Sequence, residues 1–296
     1  MRADPDECPQ LDDRLWSLAR PSPRGARPTL ARMQDLLRRF GNPERDLQAI
    51  HVGGTSGKGS TCHLIAAAII AAGHPVGLHT KPHLHTVRER MTLAGNLIGC
   101  SEFDALLRQA LPVVEQADWP TGRPTWFELV VALALTWFRD QAARPVVVEV
   151  GLGGSWDATN VLQPLVAVLT NVGLDHTEVL GDTVEAIAAD KVGILKPGAV
   201  AITGVTQPTV QGIVEARANA HAIPLWRLGN EIQLRVHTVD GSGARFDLAV
   251  PDAALADLQI ALLGRHQVEN AALAVGALVA ARRQGIPISD AAIRAG

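Results

Sequence analysis

The segment HVGGTSGKGSTCHLIAAAIIAAG, from His51 to Gly73, constrains the fold more than any other. It reads as the end of a strand, a glycine-rich turn and an amphipathic helix beginning near Ser60. Gly53, Gly54, Gly57 and Gly59 let successive backbone N–H groups turn inward into an anion nest. The helix adds the positive end of its dipole, and Lys58 adds a full charge. Ser60 or Thr61 offers a hydroxyl to a metal ion carried by a phosphate. The pattern departs from G-x-x-x-x-G-K-[ST], because Val52 takes the first glycine position and Gly59 separates Lys58 from Ser60. A turn that merely packs a strand against a helix needs neither the lysine nor so many glycines. A nucleotide triphosphate cradle needs both.

Helical and extended patterns alternate on either side. Helices are expected near Leu11–Leu18, over Thr29–Phe40, Ser101–Gln116, Asp182–Ile194 and Thr209–Ala220, and from Gly264 onward. Strands are expected ending at Val52 and over Pro75–Thr80, Pro145–Val150, Val166–Val172 and Ala199–Gly204. Thr125 and Glu128 have capping-box spacing at the head of a long apolar helix, so Glu128 reads as structural. This order predicts an α/β fold with a mostly parallel sheet flanked by helices and joined by right-handed crossovers. Residues 225–250 alternate around Gly241-Ser242-Gly243 and read as an antiparallel hairpin section. Residues 1–28 are rich in Pro and Arg and read as a partly ordered extension.

Chemistry-bearing residues gather at the predicted carboxyl ends of strands, where open α/β sheets bind ligands. After Pro75–Thr80 come Lys81, Pro82, His83, His85, Arg88, Glu89 and Arg90. Glu149 is the one charge in an apolar strand and suits magnesium beside a phosphate loop. The loop from Gly151 to Asn160 carries Ser155 and Asp157 and reads as a substrate loop. His176 follows the next strand and would pair with Glu149 as a metal ligand. The chain uses only four lysines among 27 basic residues, namely Lys58, Lys81, Lys191 and Lys196, and all fall in these segments.

A net charge of −3 gives no nucleic-acid or membrane signature, and no apolar run is long enough to span a bilayer. The three cysteines, Cys8, Cys62 and Cys100, lack metal-ligand spacing and read as structural thiols in a reducing cytoplasm.

HVGGTSGKGST, TKPHL followed by RERM, EVGLGGSWDATN, TNVGLDHTEVLGDT, DKVGILKPG and GRHQVENAALA occur in one order. Together, over residues 29–296, they resemble folylpolyglutamate synthase/dihydrofolate synthase, a branch of the Mur ligase superfamily. The resemblance implies a Mur-type ATP-binding domain over those residues. The implied activity is an ATP-dependent amide ligase adding L-glutamate to dihydropteroate, folate or both through an acyl phosphate. Gly54, Thr55, Ser56, Gly57, Lys58, Gly59, Ser60 and Thr61 would hold ATP phosphates, and Asn270 would contact the adenine. Ser60, Glu149, His176 and Lys191 would serve two magnesium ions, Lys191 as a carbamate. Lys58, Lys191 and His176 would form the catalytic set. Lys81, Pro82, His83, Arg90, Ser155 and Asp157 would face the substrate.

Two residues depart from the family pattern: Lys81 stands where a serine is usual, and Ser155 where an arginine is usual. The family's carboxyl-terminal, glutamate-binding domain is not represented, so the chain is expected to be a fragment that binds ATP weakly and does not ligate glutamate alone. The protein is expected to act as a monomer. The rival readings are a non-catalytic or decayed nucleotide-binding module, and another Mur-type amino-acid ligase. Only about 50 residues precede the glycine turn, too few for a uridine-nucleotide domain.

Overall fold

The computed structural model describes residue 8 and residues 10–19, 29–116 and 118–296. An eight-stranded sheet forms its centre. In chain order its strands are β1 (Ala49–Gly53), β2 (Gly77–His79), β3 (Thr92–Leu93), β4 (Asn96–Leu97), β5 (Val146–Glu149), β6 (Val166–Leu169), β7 (Val200–Thr203) and β8 (Leu225–Arg227). The spatial order is β4-β3-β2-β5-β1-β6-β7-β8. From β2 to β8 every pairing is parallel, and only the short β3 and β4 run antiparallel.

The alternation of side chains along these strands assigns the two faces. Val147, Ile50, Val52, Val166, Val168 and Ile202 pack with α3 (Lys58–Ala71) and α9 (Arg265–Arg283). Val146, Val148 and Ala49 face the other way, toward α1 (Gln10–Leu18), α2 (Leu30–Arg39), α4 (Cys100–Gln116) and α5 (Trp126–Asp140). Ala167, Leu169 and Ala201 face α7 (Val184–Lys191) and α8 (Pro208–Ala220) on that same side. Strands buried on both faces explain the unbroken apolar runs in the sequence. Each fully buried aliphatic side chain contributes about 1.5–3 kcal/mol relative to exposure.

The antiparallel section is a separate three-stranded sheet of β9 (Gln233–Asp240), β10 (Gly243–Val250) and β11 (Ala253–Ile260). Its Phe246, Leu248, Leu255 and Leu258 share the core of α9 and of α10 (Asp290–Ala295). The hairpin section expected over 225–250 is thus shifted along the chain. Residues 225–227 join the parallel sheet instead, because Trp226 is buried beside Ile202. Helix α6 (Thr177–Leu180) is a single turn.

Helix α1 falls where a short helix is expected, and apart from Cys8 and Ala19 the remainder of the 1–28 extension lies outside the described residues. Glu128 has the predicted structural role. It accepts the Thr125 N–H at 2.7 Å, closes the capping box, and takes Arg32 Nε at 2.6 Å. The expectation of free thiols fails for two cysteines. Packing of α1 on α4 brings Cys8 to Cys100, with Cα atoms 6.0 Å apart, and they form a disulfide across 92 residues. A pairing at that separation depends on tertiary packing, which a cysteine count does not reveal. Cys62 alone is free, and it is buried.

Candidate functional site

The glycine turn links β1 to α3 at the carboxyl edge of the parallel strands. Two of its glycines are required by space and by backbone conformation. Gly54 has φ +138° and lies against Thr170, and Gly57 has φ +80° and lies against the Asn270 amide. A Cβ at either position would collide with these groups. The turn is anchored from β6. Thr55 N–H donates to the Asn171 carbonyl at 3.0 Å, Ser56 N–H donates to Asn171 Oδ1 at 2.9 Å, and Thr170 Oγ1 donates to the Ser56 carbonyl at 2.6 Å.

The Thr61 N–H makes the first helical bond, to the Gly57 carbonyl at 2.9 Å. The N–H groups of Gly57, Lys58, Gly59 and Ser60 precede it and meet no acceptor among the described residues. Orphan donors at a helix start form an anion site. Ser60 is half-buried, whereas Thr61 is enclosed and its hydroxyl lacks a partner.

Charged side chains surround these donors. Lys58 Nζ folds back onto the carbonyls of Gly54 and Thr55, at 3.0 and 2.9 Å. Lys191 Nζ, from the last turn of α7, donates to the same Gly54 carbonyl at 3.1 Å. Burial, and then the charge of Lys58, push the Lys191 ammonium down to about 8. Burial and the charge of Lys81 lower Lys58 as well. Glu149 Oε2 accepts the Lys81 N–H at 3.1 Å and would sit 3.6 Å from a Cβ built on Gly59. Burial raises this carboxyl, opposed by that hydrogen bond and by Lys58, Lys81 and Arg90. Asp175 acts on both Lys58 and Lys191, so it belongs to the same charge cluster. It was not singled out from the sequence, although it directly precedes His176.

The expected metal pair is less complete. His176 has φ +50° at the start of α6, and its half-exposed ring lies 3.7 Å from both Asp175 and Glu178. Among the described residues no three His, Cys, Asp or Glu side chains are grouped to hold a metal ion. Glu149 beside a phosphate nest still fits magnesium. That ion keeps several waters and takes one or two carboxylates plus phosphate oxygens.

The loop after β2 is ordered by its own side chains. Glu89 accepts the N–H groups of Leu84, His85 and Thr86 at 2.7–2.9 Å. Arg90 Nε donates to His83 Nδ1 at 2.9 Å, and its guanidinium lies 4.8 Å from the Trp126 ring centre. Trp126 in turn stacks on Trp16 of α1 at 5.2 Å. This Trp–Trp–Arg column was not foreseen. Pro82 follows Lys81 through a cis peptide bond.

Ser155 and Asp157 are engaged within the protein. Ser155 donates both its N–H and its hydroxyl to the Asp190 carbonyl, at 3.0 and 2.8 Å, which fixes the loop to α7 next to Lys191. Asp157 is 3% exposed. Its Oδ2 accepts Leu152 N–H at 2.7 Å, and its Oδ1 accepts the N–H and hydroxyl of Thr159 at 3.0 and 2.5 Å. Thr159 Oγ1 also contacts His51 Nε2 at 2.8 Å. Burial, and then the charge of Lys196, hold His51 neutral at about 3, and because the Thr159 hydroxyl donates to Asp157 it accepts from His51 Nε2–H. Asn270, expected at an adenine, is placed against Gly57 with its amide donating to Gln267 Oε1 at 3.0 Å.

Comparison with known proteins decides the family. The Mur ligase middle domain model matches residues 52–278. The chain belongs to the Mur ligase family. Within it, the chain is 38% identical to the dihydrofolate synthase/folylpolyglutamate synthase of Bacillus subtilis, over 92% of this chain and 64% of that protein. It is 36% identical to the folylpolyglutamate synthase of Lacticaseibacillus casei, over 90% of this chain and 63% of that one. The apo form of the L. casei enzyme superposes with a TM-score of 0.87 at 33% identity, over 96% of this chain and 70% of that chain. A folylpolyglutamate synthase complex with AMPPCP and folate also gives 0.87 at 33% identity, over 97% of this chain and 70% of that chain. The chain therefore spans somewhat under two thirds of the length of these two relatives. Among the described residues no helix is long and apolar enough to cross a membrane.

Proposed function

We propose that this chain carries the nucleotide site of an ATP-dependent ligase that joins L-glutamate to a folate or pteroate carboxylate. One observation carries the reading: four backbone N–H groups without acceptors, at a helix start, ringed by Lys58, Lys81 and Lys191. Such a cluster has a net affinity for a polyanion and little other use. The similarity to a folylpolyglutamate synthase crystallised with AMPPCP and folate supports the same ligands here.

In this reading the open N–H groups and Lys58 hold the β- and γ-phosphates. The acceptor carboxylate oxygen attacks the γ-phosphorus, the bond to the ADP oxygen breaks, and an acyl phosphate forms. The glutamate amine then attacks the acyl carbon, inorganic phosphate leaves with the C–O electron pair, and the amine loses a proton. Charge builds on the transferring phosphoryl oxygens, where fixed ammonium groups stabilise it. Ser60, Glu149 and His176 would hold magnesium, which when bound supplies further positive charge to the phosphates.

Lys191 suits a carbamate. Only a neutral amine captures carbon dioxide, and at a pKa of about 8 roughly a tenth of Lys191 is neutral at pH 7. Asn270 packs on the turn and would sense the nucleotide from there. Lys81, His83, Arg90, Ser155 and Asp157 would shape the acceptor side, Ser155 and Asp157 through the loop they hold.

Calorimetric titration with AMPPCP tests the site. Wild-type protein should bind, and Lys58→Ala should weaken binding at least a hundredfold while the circular dichroism melt stays unchanged. Equal affinity in the variant would remove the phosphate role. Phosphate release by this chain fused to a carboxyl-terminal glutamate-binding domain, with glutamate and either dihydropteroate or tetrahydrofolate, then identifies the acceptor.

A further inference from the structure

A second cationic site lies on the other wall of the segment that carries Lys191. A groove of about 440 Å³ is lined by Leu30 and Gln34 of α2, Ser155 and Asn160 of the glycine loop, Gly193, Lys196, and Arg217 of α8. Ala189 and Val192, on either side of Lys191, also line it, but Lys191 itself points away to Gly54.

Two cations face this groove without a carboxylate. Lys196 Nζ donates to the carbonyls of Asn160 and Leu162, the latter at 2.5 Å, which leaves its third N–H uncommitted. Arg217 donates Nε to the Leu195 carbonyl at 3.1 Å, and its Nη1 meets His221 Nε2 at 2.6 Å. Neither forms an ion pair with an Asp or Glu among the described residues, and every acceptor they use is neutral. The nearby Glu215 is taken by Arg227. Lys196 and Arg217 are each half-buried, and drawing like charges partly out of water is costly unless an anion joins them. The strain is visible in Lys196, which burial and then Arg217 push down to about 8. A further polar group is unspent in the same wall. Asn160 is 6% exposed, its Nδ2 donates to the carbonyls of Ser155 and Gly193, and its Oδ1 has no partner.

We propose that the groove between α2, α8 and the Lys196 turn is a binding site for a small anion, a phosphate or carboxylate group, separate from the nucleotide loop. The anion would bridge the free N–H of Lys196 and the outer nitrogen of Arg217, and a hydroxyl on its carrier would find the Asn160 carbonyl after a small side-chain shift. The volume is enough for a small metabolite.

Residue-resolved NMR separates this site from the nucleotide loop. Inorganic phosphate, and in a parallel arm succinate, is titrated into the ¹⁵N-labelled protein. The amides of Asn160, Gly193 and Lys196 should shift along saturating curves with one or both probes, and the more effective probe identifies the anion's source. Arg217→Gln should weaken that saturation at least tenfold, Arg217→Lys should restore part of it, and the Gly57 and Gly59 amides should respond alike in all three proteins. Shifts confined to Gly57 and Gly59 would overturn the proposal. So would no saturable shift at the groove with either probe, or equal affinity in Arg217→Gln.

Discussion

Two glycine-bearing loops leave adjacent strands of the same sheet edge, and they handle polar groups in opposite ways. The loop after β1 presents four N–H groups without acceptors and is surrounded by three lysines. The loop after β5 encloses Asp157, whose two oxygens accept three hydrogen bonds from Leu152 and Thr159. In sequence both look like ligand loops. Structurally the first leaves its donors unmatched, and the second has spent its acceptors on itself. Unsatisfied donors are costly to maintain, so they identify a binding site better than polarity does.

The sharpest way to break this contrast is to add one methyl group to each loop. In Gly57→Ala the new Cβ runs into the Asn270 amide at a φ of +80°, so the turn must open. AMPPCP affinity should fall at least a hundredfold, about 3 kcal/mol. In Gly151→Ala the Cβ meets Phe127 and, at 2.7 Å, Asp157 Oδ2. There the melting temperature should fall while the affinity of the folded protein for AMPPCP stays within about threefold. Equal losses of affinity in both variants would erase the distinction.

Charge gives the next test. The folded-state value of Lys191 is depressed to about 8 from an ordinary 10.5. Its positive charge therefore opposes folding at neutral pH. In the unfolded chain the lysine holds its proton up to about pH 10.5, so stability rises between pH 8 and 10.5 as the folded lysine sheds its proton first. Denaturant melts should show a gain of at least about 3 kcal/mol across that window, less in Lys191→Met. Lys196 titrates in the same window, so part of the slope persists in the variant. An identical slope with and without Lys191 would show that its ammonium is not strained.

Asp157→Asn tests the satisfied loop. The amide nitrogen cannot accept, so at least one N–H of Leu152 or Thr159 loses its partner in a buried setting. The expected cost is about 1.5 kcal/mol of stability, with AMPPCP affinity within twofold of wild type. A large loss of nucleotide affinity without loss of stability would return Asp157 to the ligand side of the comparison.

Most of the fold was legible because it rests on local patterns. Period-2 and period-3.6 apolar residues placed the strands and helices, and Thr125 and Glu128 marked the start of α5. The glycine turn was legible because its glycines, its lysine and its helix are contiguous. What escaped depends on distant partners. Cys8 and Cys100 looked unpaired because only the packing of α1 on α4 brings them together. Asp175 was passed over for His176, yet its carboxylate acts on both loop lysines. Trp16 and Trp126 were invisible as a pair for the same reason as the cysteines. The strand at 225–227 was grouped with the hairpins because three residues carry too little periodicity to show which sheet they join.

Lys81 is one of the two residues expected to depart from the family pattern, and it yields the smallest and most specific effect. Its backbone N–H holds Glu149 Oε2, a bond any residue but proline could make. Its side chain adds what a serine there would lack, a charge that lowers Lys58, Lys191 and the Glu149 carboxyl together. An ammonium shared among these groups should assist a polyphosphate even in chelator, where no divalent cation screens it. Lys81→Ser should therefore reduce AMPPCP affinity in EDTA by roughly five- to tenfold, about 1 kcal/mol, as expected for one partly screened charge. With magnesium in excess the loss should shrink, because the bound cation neutralises the same phosphate oxygens. The variant should also raise the proton affinity of Lys191, readable from its ε-carbon shift against pH. If EDTA and magnesium give equal losses, the effect is structural and comes from Glu149 losing its place. If neither affinity nor the Lys191 titration moves, the Lys81 ammonium faces solvent, and the open loop has two cations rather than three.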